Sequence, residues 1–413
     1  MHKILLFSRR SLGKRPLQEW LGATAGNVVL VTPRTAVEGA EDVVEQHFLG
    51  HALVDSYDSW AADRAAETAA RSFGVGLVAS TSEDDVIRAA RLRERLGLPG
   101  QHTASALAYR DKAVMKRLAR DAGLTVPAFA PVDDAMDLLD FIDAHGYPLV
   151  VKPRFGAGAE GVAMLHAAED LDAFLDSAGT AAGSEEPFLP GRWMAEAFVR
   201  APFFHVDGIM RDGAVVHCWP SQYSSGVAEH LKDATGLSSV LLAPDDERTP
   251  VLMEFTAAVI AALPRPEQTT AFHLEAWIGD DGRPVLCEIA CRAGGVLVAD
   301  AYERAFGVHL AKEGLRAQCG MPLTLTEQPT APAPAAAWAI FPAGKGVFAP
   351  PAGPCPVPGV ELTLHLAAGT RSEGMTYLGE SAAGVLVTAD TAAEAGRRLN
   401  DATQWWTLNA RWT

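Results

Sequence analysis

The chain has 413 residues, 48% of them hydrophobic and 21% charged, which is typical of a globular protein with two or three domains. Its net charge of −16 repels nucleic-acid phosphates and anionic lipids, so neither nucleic acid nor a membrane is expected as a partner. The five cysteines are scattered without a C-x-x-C pair, which argues against a disulfide framework or structural zinc and predicts a cytoplasmic protein.

Short apolar runs and helical patterns alternate over the first hundred residues. The first run is too short for a signal peptide or a membrane helix, and it predicts a buried strand. Strands are expected at 3–7, 27–32, 51–56 and 74–80, and helices at 16–22, 40–47, 60–73 and 82–97. This alternation predicts an open parallel sheet covered by helices on both faces, and therefore an N-terminal α/β domain.

Beyond this segment, helices mix with hairpins, which predicts α+β architecture. Helices are expected at 108–123, 133–146, 167–178, 249–263 and 300–320, and hairpins at 193–217 and 271–295. A Pro/Ala-rich linker at 327–337 precedes strands and a last helix. The expected domains are 1–103, a small lid subdomain at 104–192, a large mixed-sheet subdomain at 193–326 and a C-terminal α+β subdomain at 337–413.

A glycine-rich stretch matches the pattern G-x-G-x-x-G with Gly156, Gly158 and Gly161. A dinucleotide-binding turn of this pattern must open a helix, but the next residues, 162–166, are strand-like. It is not a Walker A loop either, because Lys152 precedes the glycines. We therefore expect a glycine-rich hairpin whose backbone N–H groups can approach phosphate oxygens, with a plain surface hairpin as the alternative.

Two glutamates are expected to face each other across the hairpin at 271–295. If Asp281 and Gly282 form a two-residue turn, Glu275 pairs with Glu288, with Cβ atoms ~5 Å apart. Like charges at that distance repel by about 3 kcal/mol at an effective dielectric of ~20. Mg²⁺ between the carboxylates would remove this repulsion. Alternatively, one glutamate pairs with Arg292 and the other is exposed.

Such an ion would need phosphate oxygens as further ligands, and several groups are suited to bind a phosphate. They are Lys112, Lys152, the glycine-rich loop and Arg292, which lies four residues after Glu288. Each lysine alone is typical of a solvated surface, but their occurrence together with the acid pair favours a phosphate site.

These motifs together resemble the ATP-grasp superfamily, in particular its carboxylate–amine ligases. The resemblance spans about residues 1–325, and its motifs lie at 109–129, 148–162, 193–199, 204–208 and 273–295. One departure concerns Ala290, where many members of the family have an asparagine that serves as a metal ligand. The number of metal ions therefore stays open.

The resemblance implies a role for each matching residue. ATP would be bound by Lys112 and Lys152, covered by the lid loop of Phe155, Gly156, Ala157, Gly158 and Gly161, and read at its adenine by Glu196, Ala197, Phe198 and Val199. His205 and Asp207 would flank the nucleotide, Glu275 and Glu288 would hold Mg²⁺ (or Mn²⁺), and Arg292 and Lys152 would be catalytic.

The activity implied is amide formation between small molecules through an acyl phosphate, with release of ADP and phosphate. Arg292 would hold the donor carboxylate or neutralise the acyl phosphate, or else be a structural partner of Glu288. His273 is either a core residue or a substrate contact, and residues 218–230 are candidates for the substrate pocket. Alternatives are a thiol acceptor, a bicarbonate carboxylase, a non-catalytic nucleotide-binding protein and an NAD oxidoreductase. A homodimer is a further expectation.

Overall fold

The computed structural model describes residues 2–178, 191–224, 236–375 and 380–413. Among these residues, no helix combines the length and the apolarity that crossing a bilayer requires. Four sheets organise the described chain, and residues of two of them line the candidate site.

The N-terminal sheet is parallel, as predicted, with strand order β3-β2-β1-β4. The side chains of β1 and nearly all of those of β2 are fully buried, because helices cover both faces of the sheet. The strands are β1 (Ile4–Phe7), β2 (Val28–Pro33), β3 (Gly50–Val54) and β4 (Leu77–Ser80), and the helices are α1 (Leu17–Leu21), α2 (Glu41–His47), α3 (Trp60–Phe73) and α4 (Val86–Leu96).

The predicted helix at 108–123 corresponds to α6 (Lys112–Asp121), and a separate short helix, α5 (Thr103–Ala108), ends where the predicted helix begins. Residues 109–111 separate the two helices. The Asp111 carboxylate accepts from the N–H groups of Ala113 and Val114 and so caps α6. This cap makes Lys112 the first residue of α6, and its side chain points towards the neighbouring sheet.

That sheet is small and antiparallel, with strand order β5-β8-β6-β7. Its strands are β5 (Phe129–Val132), β6 (Leu149–Pro153), β7 (Ala163–Leu165) and β8 (Trp193–Ala197), flanked by α7 (Ala135–His145) and α8 (Ala168–Ala178). The glycine-rich loop joins β6 to β7, which is the strand–loop–strand arrangement expected from the sequence. β8 belongs to this sheet, although the predicted boundary between the lid subdomain and the large subdomain lies before it, at 192.

The largest sheet has eight strands in the order β13-β12-β9-β10-β11-β14-β18-β16. Every strand pair in it is antiparallel, so the mixed sheet expected for this segment is an antiparallel one. Its strands are β9 (Phe203–Arg211), β10 (Ala214–Tyr223), β11 (Leu237–Leu241), β12 (Thr269–Ile278), β13 (Pro284–Ala290), β14 (Ala335–Pro342), β16 (Val360–Leu364) and β18 (Ser381–Ala389). It therefore runs through both the 193–326 and the 337–413 segments.

Helices and a small sheet complete the fold. The helices are α9 (Arg248–Ala262), α10 (Val298–Phe306), α11 (Leu310–Gln318) and α12 (Ala392–Asn409). A three-stranded sheet, order β17-β15-β19, contains β15 (Lys345–Ala349), β17 (Arg371–Glu373) and β19 (Arg411–Trp412). The core of the large sheet contains fully buried Phe204, Phe272 and Trp338.

Gly208, in the middle of β9, allows the close approach of β10. A Cβ atom there would lie 2.1 Å from the carbonyl oxygen of His217 and 2.7 Å from Cys218 Cβ. We expect Gly208→Ala to lower the free energy of unfolding by about 3 kcal/mol, since backbone cannot move aside cheaply. Denaturant unfolding of the full chain measures this, with Gly26→Ala as control, because a Cβ atom at Gly26 meets nothing within 4 Å. Equal stability of the two variants would contradict the expected clash.

Candidate active site

The two glutamates of the β12–β13 hairpin are directly paired, as the sequence predicts. Glu275 lies opposite Glu288 in the strand register. The expected two-residue turn is wrong, however, because Gly279 N–H donates to Arg283 O and the tip is a three-residue loop. Gly282, at φ 75°, takes the left-handed position of that loop. A bulge between Glu275 and Ala276 shifts the register back by one residue, so the acids still meet.

Glu288 is held by a lysine from α6. Lys112 Nζ lies 2.8 Å from Glu288 Oε2. Burial works against the charged form of Glu288, but Lys112 and Lys152 outweigh it and lower its pKa to about 2. Glu288 is therefore a carboxylate at neutral pH, despite the acid opposite it.

Glu275 is held from the other side by Tyr223 and His273. Tyr223 Oη donates to Glu275 Oε1 at 3.1 Å, and His273 Nε2 lies 3.4 Å from the same oxygen. Among the described residues, Glu275 Oε2 and Glu288 Oε1 have no hydrogen-bond or ion-pair partner. The pair thus offers carboxylate oxygens towards the cavity, and this donor set fits Mg²⁺.

His205 and Asp207 lie on β9, next to the β12–β13 hairpin, and they do not line the cavity in front of the two glutamates. Asp207 accepts from Nδ1 of His205 and, at 2.8 Å, from Nδ1 of His273. Burial opposes the charge of His273, but Asp207 and Glu275 raise its pKa to about 10. The three side chains also have metal-type spacing. Both rings are in direct contact with the carboxylate, and the Asp207 contact fixes the orientation of His273 against Glu275.

Lys152 and Glu196 form a buried charge cluster with a residue that the sequence analysis missed. Lys152 Nζ lies 3.0 Å from Glu196 Oε1, and Lys116 Nζ lies 2.7 Å from Glu196 Oε2. Lys116 has no exposed surface and also donates to the carbonyl oxygen of Leu286. Each oxygen of Glu196 is thus engaged by a lysine, which competes with the adenine contact expected of this side chain.

The glycine-rich loop is tied to α6 through a single carbonyl. Lys112 Nζ donates to Gly156 O at 2.7 Å, and Arg110 donates to the same oxygen at 3.1 Å. Gly158 and Gly161 have positive φ angles, which glycine adopts without strain. The loop therefore lies against the residue that also contacts Glu288.

Arg292 is bound by an acid of the N-terminal segment and not by Glu288. Its Nε and Nη2 atoms lie 2.8 and 2.7 Å from Glu83 Oε2. Glu83 is buried, and its other oxygen accepts from Arg110 at 3.2 Å. The salt-bridge alternative between Arg292 and one of the hairpin acids is therefore not what the structure has. Glu83 follows β4 at the carboxyl edge of the parallel sheet, a position at which side chains often reach a site.

One cavity of about 860 Å³ collects most of these groups, a volume suited to a small-molecule site. Of the residues proposed from the sequence, its lining contains Lys112, Lys152, Gly156, Ala157, Gly158, Glu196, Ala197, Phe198, Val199, Glu275, Glu288 and Arg292. Four of the proposed residues are not part of the lining: Phe155, Gly161, His205 and Asp207. His273 and residues 222–224 line it, whereas residues 225–230 of the proposed pocket segment lie outside the described residues.

Comparisons with known proteins find matches both in sequence and in fold. Residues 111–212 match the family model for the carbamoyl-phosphate synthase L chain, ATP binding domain. The L-arginine-specific L-amino acid ligase of Bacillus subtilis is 26% identical over 253 residues, which are 61% of this chain and 60% of that protein. The chain thus matches about three fifths of the length of that curated relative.

Solved structures share the fold over nearly the whole chain. The L-amino acid ligase from Bacillus licheniformis superimposes with a TM-score of 0.74 and 18% identity, covering 100% of this chain and 98% of that one. The biotin carboxylase domain of 2-oxoglutarate carboxylase from Hydrogenobacter thermophilus, solved with MgADP and bicarbonate, gives a TM-score of 0.68 and 15% identity, covering 100% and 91%.

Proposed function

We propose that this chain, which has the ATP-grasp fold, is an ATP-dependent carboxylate–amine ligase that joins two small molecules through an amide bond. The observation that carries the proposal is the pairing of Glu275 with Glu288 on the wall of a cavity that also contains Lys112, Lys152 and Arg292. The name of the Bacillus subtilis relative supports an amine as the acceptor and amino acids as substrates.

ATP would lie between the small antiparallel sheet and the hairpin. The backbone at 197–199 is the better candidate for reading adenine, because the Glu196 carboxylate is engaged by lysines. Lys112, Lys152 and the backbone of the glycine-rich loop would contact the phosphates. Mg²⁺ held by Glu275 and Glu288 would supply charge neutralisation for phosphoryl transfer.

The chemistry needs activation because an amine cannot displace oxide from a carboxylate. The donor carboxylate takes the γ-phosphoryl group of ATP, and the acyl phosphate then has phosphate as its leaving group. The amine attacks the acyl carbon, loses a proton and leaves an amide, with ADP and phosphate as the other products. Arg292, fixed by Glu83, would stabilise charge on the transferring group, and the glycine-rich loop would keep water from the intermediate.

The test is a screen of pairwise mixtures of L-amino acids with ATP and Mg²⁺, read as phosphate release. We expect release that requires both partners of an active pair, and a product whose mass is the sum of the two minus water. Omission of Mg²⁺ and omission of either partner are the controls. Nucleotide turnover that no amine stimulates would contradict the proposal. So would a product without a new amide bond, such as a thioester or a substrate that has gained a carboxyl group from bicarbonate.

A further inference from the structure

Tyr223, the last residue of β10, reaches across β9 to Glu275 on β12. Strands two apart in a sheet are separated by about 10 Å, so only a long side chain can span them. Two rings of β9 contact the phenol ring on its way. Phe203 is stacked on it with 5.2 Å between the ring centroids, and the His205 ring lies at 4.5 Å. Since Tyr223 is also only 6% exposed, its hydroxyl is held in one position.

The Tyr223 hydroxyl engages one of the two carboxylate oxygens of Glu275. It donates to Oε1 at 3.1 Å, and His273 Nε2 lies 3.4 Å from the same atom. A tyrosine hydroxyl is protonated at neutral pH and an ionised carboxylate can only accept, so the direction of this hydrogen bond is fixed. Oε1 is therefore satisfied by donors, whereas Oε2 has no partner among the described residues and is left for a cation.

The facing acid has the same arrangement. Glu288 Oε2 lies 2.8 Å from Lys112 Nζ, and its Oε1 has no partner within the described part of the chain. The pair thus offers a cation one oxygen from each carboxylate. Mg²⁺ typically takes one or two carboxylates and fills its octahedron with phosphate oxygens and water, whereas Ca²⁺ takes about 6–8 oxygens and often both oxygens of one carboxylate. The arrangement therefore favours the smaller ion.

We propose that Tyr223 is a positioning residue that makes the cation site selective for Mg²⁺ over Ca²⁺. By engaging Glu275 Oε1, it keeps this carboxylate from presenting both oxygens to a larger ion. The inference rests on the proposed function, in which the cation lies between Glu275 and Glu288, and it adds what determines the choice of cation. Tyr223 acts through Glu275 and contacts no reacting atom in this role.

Cation binding measures the preference without turnover. The full chain, in excess over a non-hydrolysable ATP analogue, is loaded with Mn²⁺, and electron paramagnetic resonance follows the free Mn²⁺ while Mg²⁺ or Ca²⁺ displaces it. We expect Mg²⁺ to displace Mn²⁺ from the wild-type complex at a concentration at least about tenfold lower than Ca²⁺. A wild-type complex that takes Ca²⁺ as readily as Mg²⁺, or that binds no Mn²⁺, would overturn the inference.

Tyr223→Phe keeps the ring and removes only the hydroxyl. Groups that orient a metal ligand contribute about 10–100-fold to metal affinity. The loss is expected for Mg²⁺, whereas the freed Oε1 offers Ca²⁺ an additional ligand. The ratio of Ca²⁺ affinity to Mg²⁺ affinity is therefore expected to rise at least about tenfold. If the role of Tyr223 were only structural, both affinities would fall together and the ratio would not change.

Tyr57→Phe is the matched control. Tyr57 is also 6% exposed, its hydroxyl donates to the Asp85 carboxylate at 3.2 Å, and it does not line the cavity. This variant is expected to keep the wild-type ratio. Circular dichroism establishes that the variants are folded, and Tyr223→Met, which also lacks the donor, replaces Tyr223→Phe if that chain is not. An unchanged ratio without the Tyr223 hydroxyl, or an equal rise in Tyr57→Phe, would contradict the proposal.

The two proposals fail separately. A cation ratio that depends on Tyr223, in a chain that forms no amide in the phosphate-release screen, would leave the cation selectivity standing and remove the ligase. Amide formation by a chain whose ratio is the same with and without the Tyr223 hydroxyl would leave the ligase standing and remove the role of Tyr223.

Discussion

Glu288→Gln is expected to abolish ATP-dependent amide formation while the fold stays intact. The amide side chain keeps the shape of Glu288 but loses the charge that Lys112 balances and that a divalent cation would need. Loss of a group that merely orients a metal ligand costs about 10–100-fold, so removal of the ligand itself is expected to cost more than about a hundredfold in kcat/KM. Phosphate release from an active substrate pair, measured at saturating Mg²⁺, gives this number.

The control for this variant is Glu254→Gln, an exposed glutamate on α9. It carries the same change in charge without touching the cavity, and wild-type turnover is expected. Circular dichroism and the thermal midpoint of both variants establish that they are folded. Near-normal turnover of a folded Glu288→Gln chain would refute the assignment of this residue as a metal ligand.

Glu196→Gln is expected to be among the most destabilising single substitutions in the chain. It leaves Lys152 and Lys116 buried side by side without the carboxylate that contacts both. Breaking a buried ion pair by removing one partner costs about 3–5 kcal/mol, since an uncompensated charge stays buried. The free energy of unfolding from denaturant titration at neutral pH measures the loss.

The pH dependence of the stability difference is a second test of this prediction. Burial opposes ionisation of Glu196, but the two lysines outweigh it and lower its pKa in the folded chain. A carboxylate with a lowered pKa contributes stability above its unfolded value, about 4.3, and loses it as the pH falls through the folded value. The difference between wild type and variant should therefore be full above about pH 5 and shrink in acid.

Glu169→Gln, on the exposed surface of α8, serves as the matched control and should change stability little at any pH. A Glu196→Gln chain as stable as this control would show that the lysine cluster does not need its carboxylate. A loss of stability that is constant from neutral to acid pH would contradict the assigned ionisation of Glu196.

The alternation of apolar residues predicts the strands and helices around the site better than it predicts the turns and the element ends that connect them. The pairing of Glu275 with Glu288 was correct for an incomplete reason. The turn is one residue longer than Asp281-Gly282 alone suggests, and the bulge compensates for it. Neither deviation is visible in a pattern with period two, because each shifts the register by one residue and the two cancel. Likewise, the amphipathic pattern begins at residue 108, although the helix begins only at Lys112, after the Asp111 cap.

The contacts that the sequence could not supply join residues far apart in the chain. Lys116 lies on α6, one turn after Lys112, and looks like an ordinary surface lysine until β8 brings Glu196 against it. Glu83 looks like an acid in the first turn of a helix, and its partner Arg292 is 209 residues away. Only the packing of sheets against one another determines such ion pairs.

The position of Lys112 has a consequence for how nucleotide and loop would influence each other. An ammonium has three N–H groups, and Lys112 directs its Nζ at Gly156 O and at Glu288, which leaves a third donor. A phosphate oxygen accepting from that donor would share one nitrogen atom with the loop and the hairpin. Ordering of the loop and affinity for the nucleotide would then be coupled, and by linkage each would strengthen the other by the same factor.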